Sequence, residues 1–121
     1  MLTFTGCRNK GRVVEPKYDN AHATLQQSSH NFGTLSFSQH EADHEFTLIN
    51  DGNEKLEITN VVNHCHCTHV DYDHAPIKPG HATTLKVYLD VDDLSTGSFI
   101  RDIDVETNGG TVRIMLEGQK E

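Results

Sequence analysis

The stretch Phe99-Ile100-Arg101-Asp102-Ile103-Asp104-Val105-Glu106-Thr107-Asn108-Gly109-Gly110-Thr111-Val112-Arg113-Ile114-Met115-Leu116-Glu117 decides the fold class. Phe99, Ile103 and Val105 share one parity, and Asp102, Asp104 and Glu106 occupy the other. Beyond Asn108-Gly109-Gly110, Val112, Ile114 and Leu116 alternate with Arg113, Met115 and Glu117. Successive side chains of a strand point to opposite faces, so a period of two marks a strand with one dry and one wet face. Asparagine and glycines between two such runs supply the turn that joins them.

The same pattern recurs upstream. Leu85, Val87 and Leu89 alternate with Lys86, Tyr88 and Asp90, and His44, Phe46 and Leu48 share a face. Asn50-Asp51-Gly52-Asn53 is expected to form a tight turn through residues that tolerate positive φ. Leu56 and Ile58 open a further strand to about Val62. Leu35 and Phe37 alternate with Thr34 and Ser36, after a bulge expected at Phe32-Gly33. No run of ten or more residues keeps a 3.6-residue period, and Pro76, Pro79, Gly80 and Gly97 fall in the gaps. Six or seven short antiparallel strands, each with one wet face, predict an all-β sandwich.

The chain's 121 residues suit one domain, and Leu, Ile, Val and Phe make up 29 of them. Its net charge of −8 argues against nucleic acid, whose phosphates call for Lys and Arg. No apolar run is long enough to span a bilayer as a helix. The charge is uneven: residues 1–17 carry four bases against Glu15 alone, and the remainder carries 17 acids against six bases. All nine histidines lie between His22 and His81. Residues 8–29 hold few large apolar side chains and no sustained period, so they are expected to form a flexible tether. The folded domain is then expected over 30–121.

Two resemblances add to this reading. Met1-Leu2-Thr3-Phe4-Thr5-Gly6-Cys7 resembles the end of a bacterial lipoprotein signal, with Gly6-Cys7 as the cleavage pair and most of the apolar run missing. It implies lipidation at Cys7, with membrane contact through the lipid anchor alone. The implied location is the bacterial cell envelope, periplasmic or on the outer membrane. The second resemblance is carried by His30-Asn31-Phe32-Gly33-Thr34-Leu35, Phe46-Thr47-Leu48-Ile49-Asn50-Asp51-Gly52 and Leu56-Glu57-Ile58-Thr59-Asn60-Val61. It continues through Cys65-His66-Cys67-Thr68, Pro76-Ile77-Lys78-Pro79-Gly80, Thr84 to Asp90, and Thr107-Asn108. In order and spacing these resemble the bacterial family called domain of unknown function 1573, over roughly residues 30–117. The resemblance implies an immunoglobulin-like antiparallel sandwich of about seven strands, related to ciliary and centrosomal modules, with no established activity. That family usually has Cys-Gly-Cys-Thr, whereas His66 stands at the glycine position here. Either the local backbone is ordinary, or His66 is placed for its imidazole.

Chemistry concentrates at His64-Cys65-His66-Cys67-Thr68-His69. If this segment is a strand, Cys65, Cys67 and His69 share a face, and two thiolates with an imidazole suit zinc or copper(I). His74 and His81 follow and would supply a fourth ligand. A fully extended Cys-x-Cys holds its sulfurs too far apart for one tetrahedral ion, so a bend or bulge is required. Packed thiols with exposed histidines around them are the bland alternative. A disulfide between Cys65 and Cys67, closing a small and reducible ring, is a further one. Asp90, Asp92 and Asp93 lack calcium-loop spacing. Asp71 and Asp73 flank Tyr72 with nothing to fix a substrate. No catalytic motif of known mechanism occurs. The expected protein is a non-enzymatic envelope module without a cofactor, in a structural or protein-interaction role, with an unidentified protein partner. The alternative is an envelope zinc or copper protein using Cys65, Cys67, His69, His74 and His81.

Overall fold

A computed structural model describes residues 11–121. Eight strands are arranged in two four-stranded sheets. They are β1 (Ala23–Leu25), β2 (Ser29–Leu35), β3 (Glu41–Asn50), β4 (Ile58–Asn63), β5 (Thr68–Tyr72), β6 (Ala82–Asp90), β7 (Gly97–Thr107) and β8 (Gly110–Lys120). One sheet has the order β1-β3-β6-β5 and the other β2-β8-β7-β4. This is the immunoglobulin-like arrangement, with an additional strand, β2, on the second sheet.

Alternation along the strands builds the core. Phe46, Leu48, Leu85, Val87 and Leu89 from the first sheet are at most 1% exposed, as are Ile103, Val105, Ile114 and Leu116 from the second. The turn at Asn108-Gly109 sets the register of the β7–β8 hairpin, pairing Ile103 with Ile114 and Val105 with Val112. Slipping either strand by one residue would send its apolar set to solvent.

The structure departs from the sequence reading at five places. Most strands pair antiparallel, but β2 pairs parallel with β8. The chain runs antiparallel to β3 as β1, then crosses to the other sheet without reversing, and there its direction matches β8. The irregularity expected near Phe32-Gly33 is present, as a register shift between Asn31 and Thr34 with Gly33 at φ 71°. Beyond it β2 ends at Leu35, and Phe37 stands 78% exposed in a turn braced by Ser36 and Ser38. Leu56 precedes β4 instead of opening it, and forms an isolated bridge to Ile77 with two backbone hydrogen bonds.

The fourth departure is at Asn50-Asp51-Gly52-Asn53. No non-glycine residue among those described has positive φ, and Asn50 and Asp51 are buried. This segment is a polar hub, not an exposed turn. Gly52 is needed there for close approach: a Cβ would collide with the Asn20 carbonyl oxygen and the His22 amide. Gly109 meets the same passing chain from the other side, against Ala21 and His22.

The fifth departure follows from the fourth. The domain extends amino-terminally of the expected boundary at His30, so the described part of the expected tether is ordered. The Val13 and Val14 amides donate to Gly80, Lys17 donates to Asp51, and Ala23 donates to Gly109. His22 Nδ1 lies 2.7 Å from Asp51 Oδ1, and the Thr24 hydroxyl donates to the same carboxylate. Burial acts to raise the Asp51 pKa, but the hydrogen bonds from His22 and Thr24 outweigh it and the net shift is downward. Backbone hydrogen bonds and glycine apposition hold this segment, and neither registers as hydropathy.

Candidate functional site

Each flank of the sandwich shows one open edge from each sheet, joined by a short connection. Residues 26–28 join β1 to β2 on one flank, and residues 64–67 join β4 to β5 on the other. The Cys-His-Cys segment is therefore a corner by which the chain passes between sheets. It is not a strand, so Cys65, Cys67 and His69 do not line one strand face as alternation predicts. Cys65 and Cys67 are joined in a disulfide. The Cys67 amide donates to Cys65 Sγ at 3.1 Å, and the Asp90 amide donates to the Cys67 carbonyl at 2.6 Å. Thr68 Oγ1 donates to Asn63 Oδ1 at 2.8 Å, tying the two strand ends together. His66 stands exposed at the turn, and its backbone is ordinary, since no non-glycine φ among the described residues is positive.

The two cysteines differ in environment. Cys67 is buried in the core at 1% exposure, while Cys65 is half-buried at its margin. An open depression of about 350 Å3 lies over the corner, lined by Asn63, His64, Cys65, His66 and Thr68.

Beside it is an ionic cluster that matches no sequence motif. His64 Nε2 lies 3.1 Å from Asp104 Oδ2, and Arg113 donates to both Asp104 oxygens at 2.8 and 3.2 Å. Arg113 also reaches Asp102 at 3.6 Å. Hydrogen bonds from Arg113 and then His64 hold the Asp104 carboxyl down at about 2. Counting outward from the Asn108-Gly109 turn pairs Asp104 with Arg113, so that half was legible in the sequence. The approach of His64 was not, because it depends on where the corner falls.

The remaining candidates are dispersed. His69 is exposed on β5 and paired with Asp71 at 3.0 Å. His74 lies past the far end of β5, against the Tyr72 ring at 4.4 Å, and β5 itself is roughly 17 Å long at a strand's rise per residue. His81 Nδ1 is 3.0 Å from the Pro79 carbonyl oxygen. With Cys65 and Cys67 bonded to each other, the set Cys65, Cys67, His69, His74 and His81 is not gathered around one point. Among the described residues no three His, Cys, Asp or Glu side chains are grouped to hold an ion. Cys7, the expected lipidation site, lies outside the described residues. Asp90 caps a short 3-10 turn by accepting from the Asp92 amide, and Asp92 pairs with His40. Asp73 accepts from the Ala75 amide. In the His22–Asp51–Thr24 trio the Thr24 hydroxyl donates to the Asp51 carboxylate, which ties the amino-terminal segment to the loop after β3.

The sequence matches the family described as "Protein of unknown function (DUF1573)" over residues 23–119, most of the chain. The chain belongs to this family. No curated protein matches this DUF1573 chain. Its fold is similar to that of a protein of unknown function from Porphyromonas gingivalis, with TM-score 0.72 and 20% identity. That likeness covers 84% of this chain and 47% of the other, so the DUF1573 chain spans about half of that protein's length. It is also similar to the ASH/PapD-like domain 7 of human CEP192, with TM-score 0.67, 12% identity, and 96% and 98% of the two chains covered. A third likeness is to the secreted serine protease VesC from Vibrio cholerae, at TM-score 0.61 and 11% identity, over 82% of this chain and 23% of that one. At such identities these neighbours speak to the fold alone, an immunoglobulin-like module. The family match begins at Ala23, the first residue of β1.

Proposed function

We propose that this DUF1573 protein is a non-enzymatic interaction module of the bacterial cell envelope, anchored by lipid at Cys7, that docks a protein partner by strand addition. The observation that carries the reading is the uncovered outer edge of β4. It is an edge strand of the second sheet, and every residue from Ile58 to Asn63 is exposed or half-exposed. An edge strand presents unpaired backbone amides and carbonyls, which an extended segment of another chain can complete. Val61 and Val62 offer apolar contact along it. Glu106, the neighbour of Asn60 on β7, places a negative charge beside this edge and favours an incoming strand that carries basic side chains.

A photo-crosslinking residue placed at Asn60 or Val62 of the full chain, expressed in a bacterial envelope, tests docking. A discrete adduct is expected from these positions and none from Met115 in the middle of the same sheet. Adducts from neither strand, or equally from both, would overturn the reading. Anchoring is checked separately: Cys7→Ala should move the protein from the membrane to the soluble fraction.

A further inference from the structure

We propose that the Cys65–Cys67 disulfide is a thiol–disulfide exchange site, reduced by dithiols, with Cys65 the sulfur that is attacked. Four observations support it. The bond spans a sequence separation of two, and so short a loop restrains the unfolded chain less than a longer one would. The corner is already closed by other contacts, namely Thr68 to Asn63, Thr68 to the Cys65 carbonyl, and Asp90 to the Cys67 carbonyl. The disulfide is therefore dispensable to the fold and free to be opened.

The two sulfurs are also presented unequally. Cys65 lines the open depression over the corner with Asn63, His64, His66 and Thr68, whereas Cys67 is 1% exposed and does not line it. Exchange proceeds by attack of a thiolate on one sulfur of a disulfide, and access decides which. An incoming thiolate meets Cys65. Finally, the Cys67 amide points at Cys65 Sγ at 3.1 Å, so a fixed donor stands beside the sulfur that carries the mixed disulfide.

The steps balance with a dithiol as the only co-reactant. One thiolate of the dithiol attacks Cys65 Sγ; an S–S bond forms there while the Cys65–Cys67 bond breaks. Cys67 leaves with the bonding pair and takes a proton. The second thiolate of the dithiol attacks its partner sulfur in the mixed disulfide, and Cys65 leaves with that pair and takes a proton. The dithiol ends as a disulfide, oxidised by two electrons, and the domain ends as a dithiol, reduced by two. The exchange needs neither the anchor nor a docking partner, so its failure is distinguishable from theirs.

The test uses the full chain carrying Cys7→Ser, so that the corner holds the only cysteines. Dithiothreitol is added without denaturant, thiols are trapped with N-ethylmaleimide, and mass spectrometry reads the labels while circular dichroism monitors the fold. Labelling of both Cys65 and Cys67 with the fold retained is expected. With oxidised glutathione, Cys67→Ser should form a mixed disulfide at Cys65 about tenfold or more faster than Cys65→Ser forms one at Cys67. A disulfide that resists dithiothreitol until the chain unfolds would overturn the proposal, and so would equal rates for the two variants. Should either variant not fold, reduction of the parent chain decides alone.

Discussion

Asn50 shows how much one side chain can organise. It is fully buried, and its Nδ2 donates to the Glu54 and Ile77 carbonyls at 2.7 and 2.9 Å. Its Oδ1 accepts from the Gly52 amide at 3.0 Å and the His22 amide at 3.4 Å. One amide group thus satisfies backbone atoms from the end of β3, the loop before β6 and the amino-terminal segment. Asn50→Ala would leave those partners buried without hydrogen bonds, at a cost of about 2–4 kcal/mol. The check is a urea titration, in which the midpoint should fall with little change in slope. A shift below about 0.5 kcal/mol, typical of a surface site, would refute this role. Asn50 was legible as a special residue, because Asn-Asp-Gly marks a chain reversal. Its burial was not legible, since two of the four groups it satisfies come from 27 and 28 residues away.

One contact between the two sheets that responds to pH lies where β2 meets β3. His30 on β2 stacks on His44 of β3 with ring centroids 3.6 Å apart and planes 10° from parallel. Phe32 and Phe46 press edge-on against the two rings, and the Gln27 amide oxygen lies 3.3 Å from His44 Nε2. Among the described residues no carboxylate hydrogen-bonds to either imidazole. Burial, and then the charge of His44, lowers the His30 pKa from 6.5. A lowered histidine pKa means that the unfolded chain binds the proton more readily. The stability contributed by neutral His30 is therefore present above pH 6.5 and is lost as pH falls through that value toward the folded pKa. Urea titrations at pH 7.5 and pH 5 should show the loss, and His30→Phe should flatten it. An equal loss in the variant would assign the pH dependence elsewhere. Strand alternation placed His44 on the inward face with Phe46, but nothing local announced His30 as its partner, because the two strands belong to different sheets.

At the scale of the molecule, the fold should not depend on its disulfide. Closing a loop of three residues is worth about 2 kcal/mol in the chain-entropy picture. The core of Phe46, Leu48, Leu85, Leu89, Ile103, Ile114 and Leu116, all at most 1% exposed, is independent of it. The double variant Cys65→Ala, Cys67→Ala, which puts no polar group at the buried Cys67 position, is expected to fold and to lose about 2 kcal/mol from loop closure, measured by urea titration. Failure to fold would make the corner a structural staple. The sequence by itself determined the all-β class, the inward faces of β3, β6, β7 and β8, the turn between β7 and β8, and the family. Each rests on period-two alternation or short-range turn chemistry, which neighbouring residues carry. Only the tertiary structure decided that residues 11–22 are held against the domain and that β2 runs parallel to β8. It alone decided that Asn50 is buried, and that Cys65 and Cys67 sit at a corner with His69, His74 and His81 dispersed. Those outcomes depend on backbone hydrogen bonds, glycine apposition and inter-sheet crossings, where the partners are far apart in the chain and leave no periodic trace.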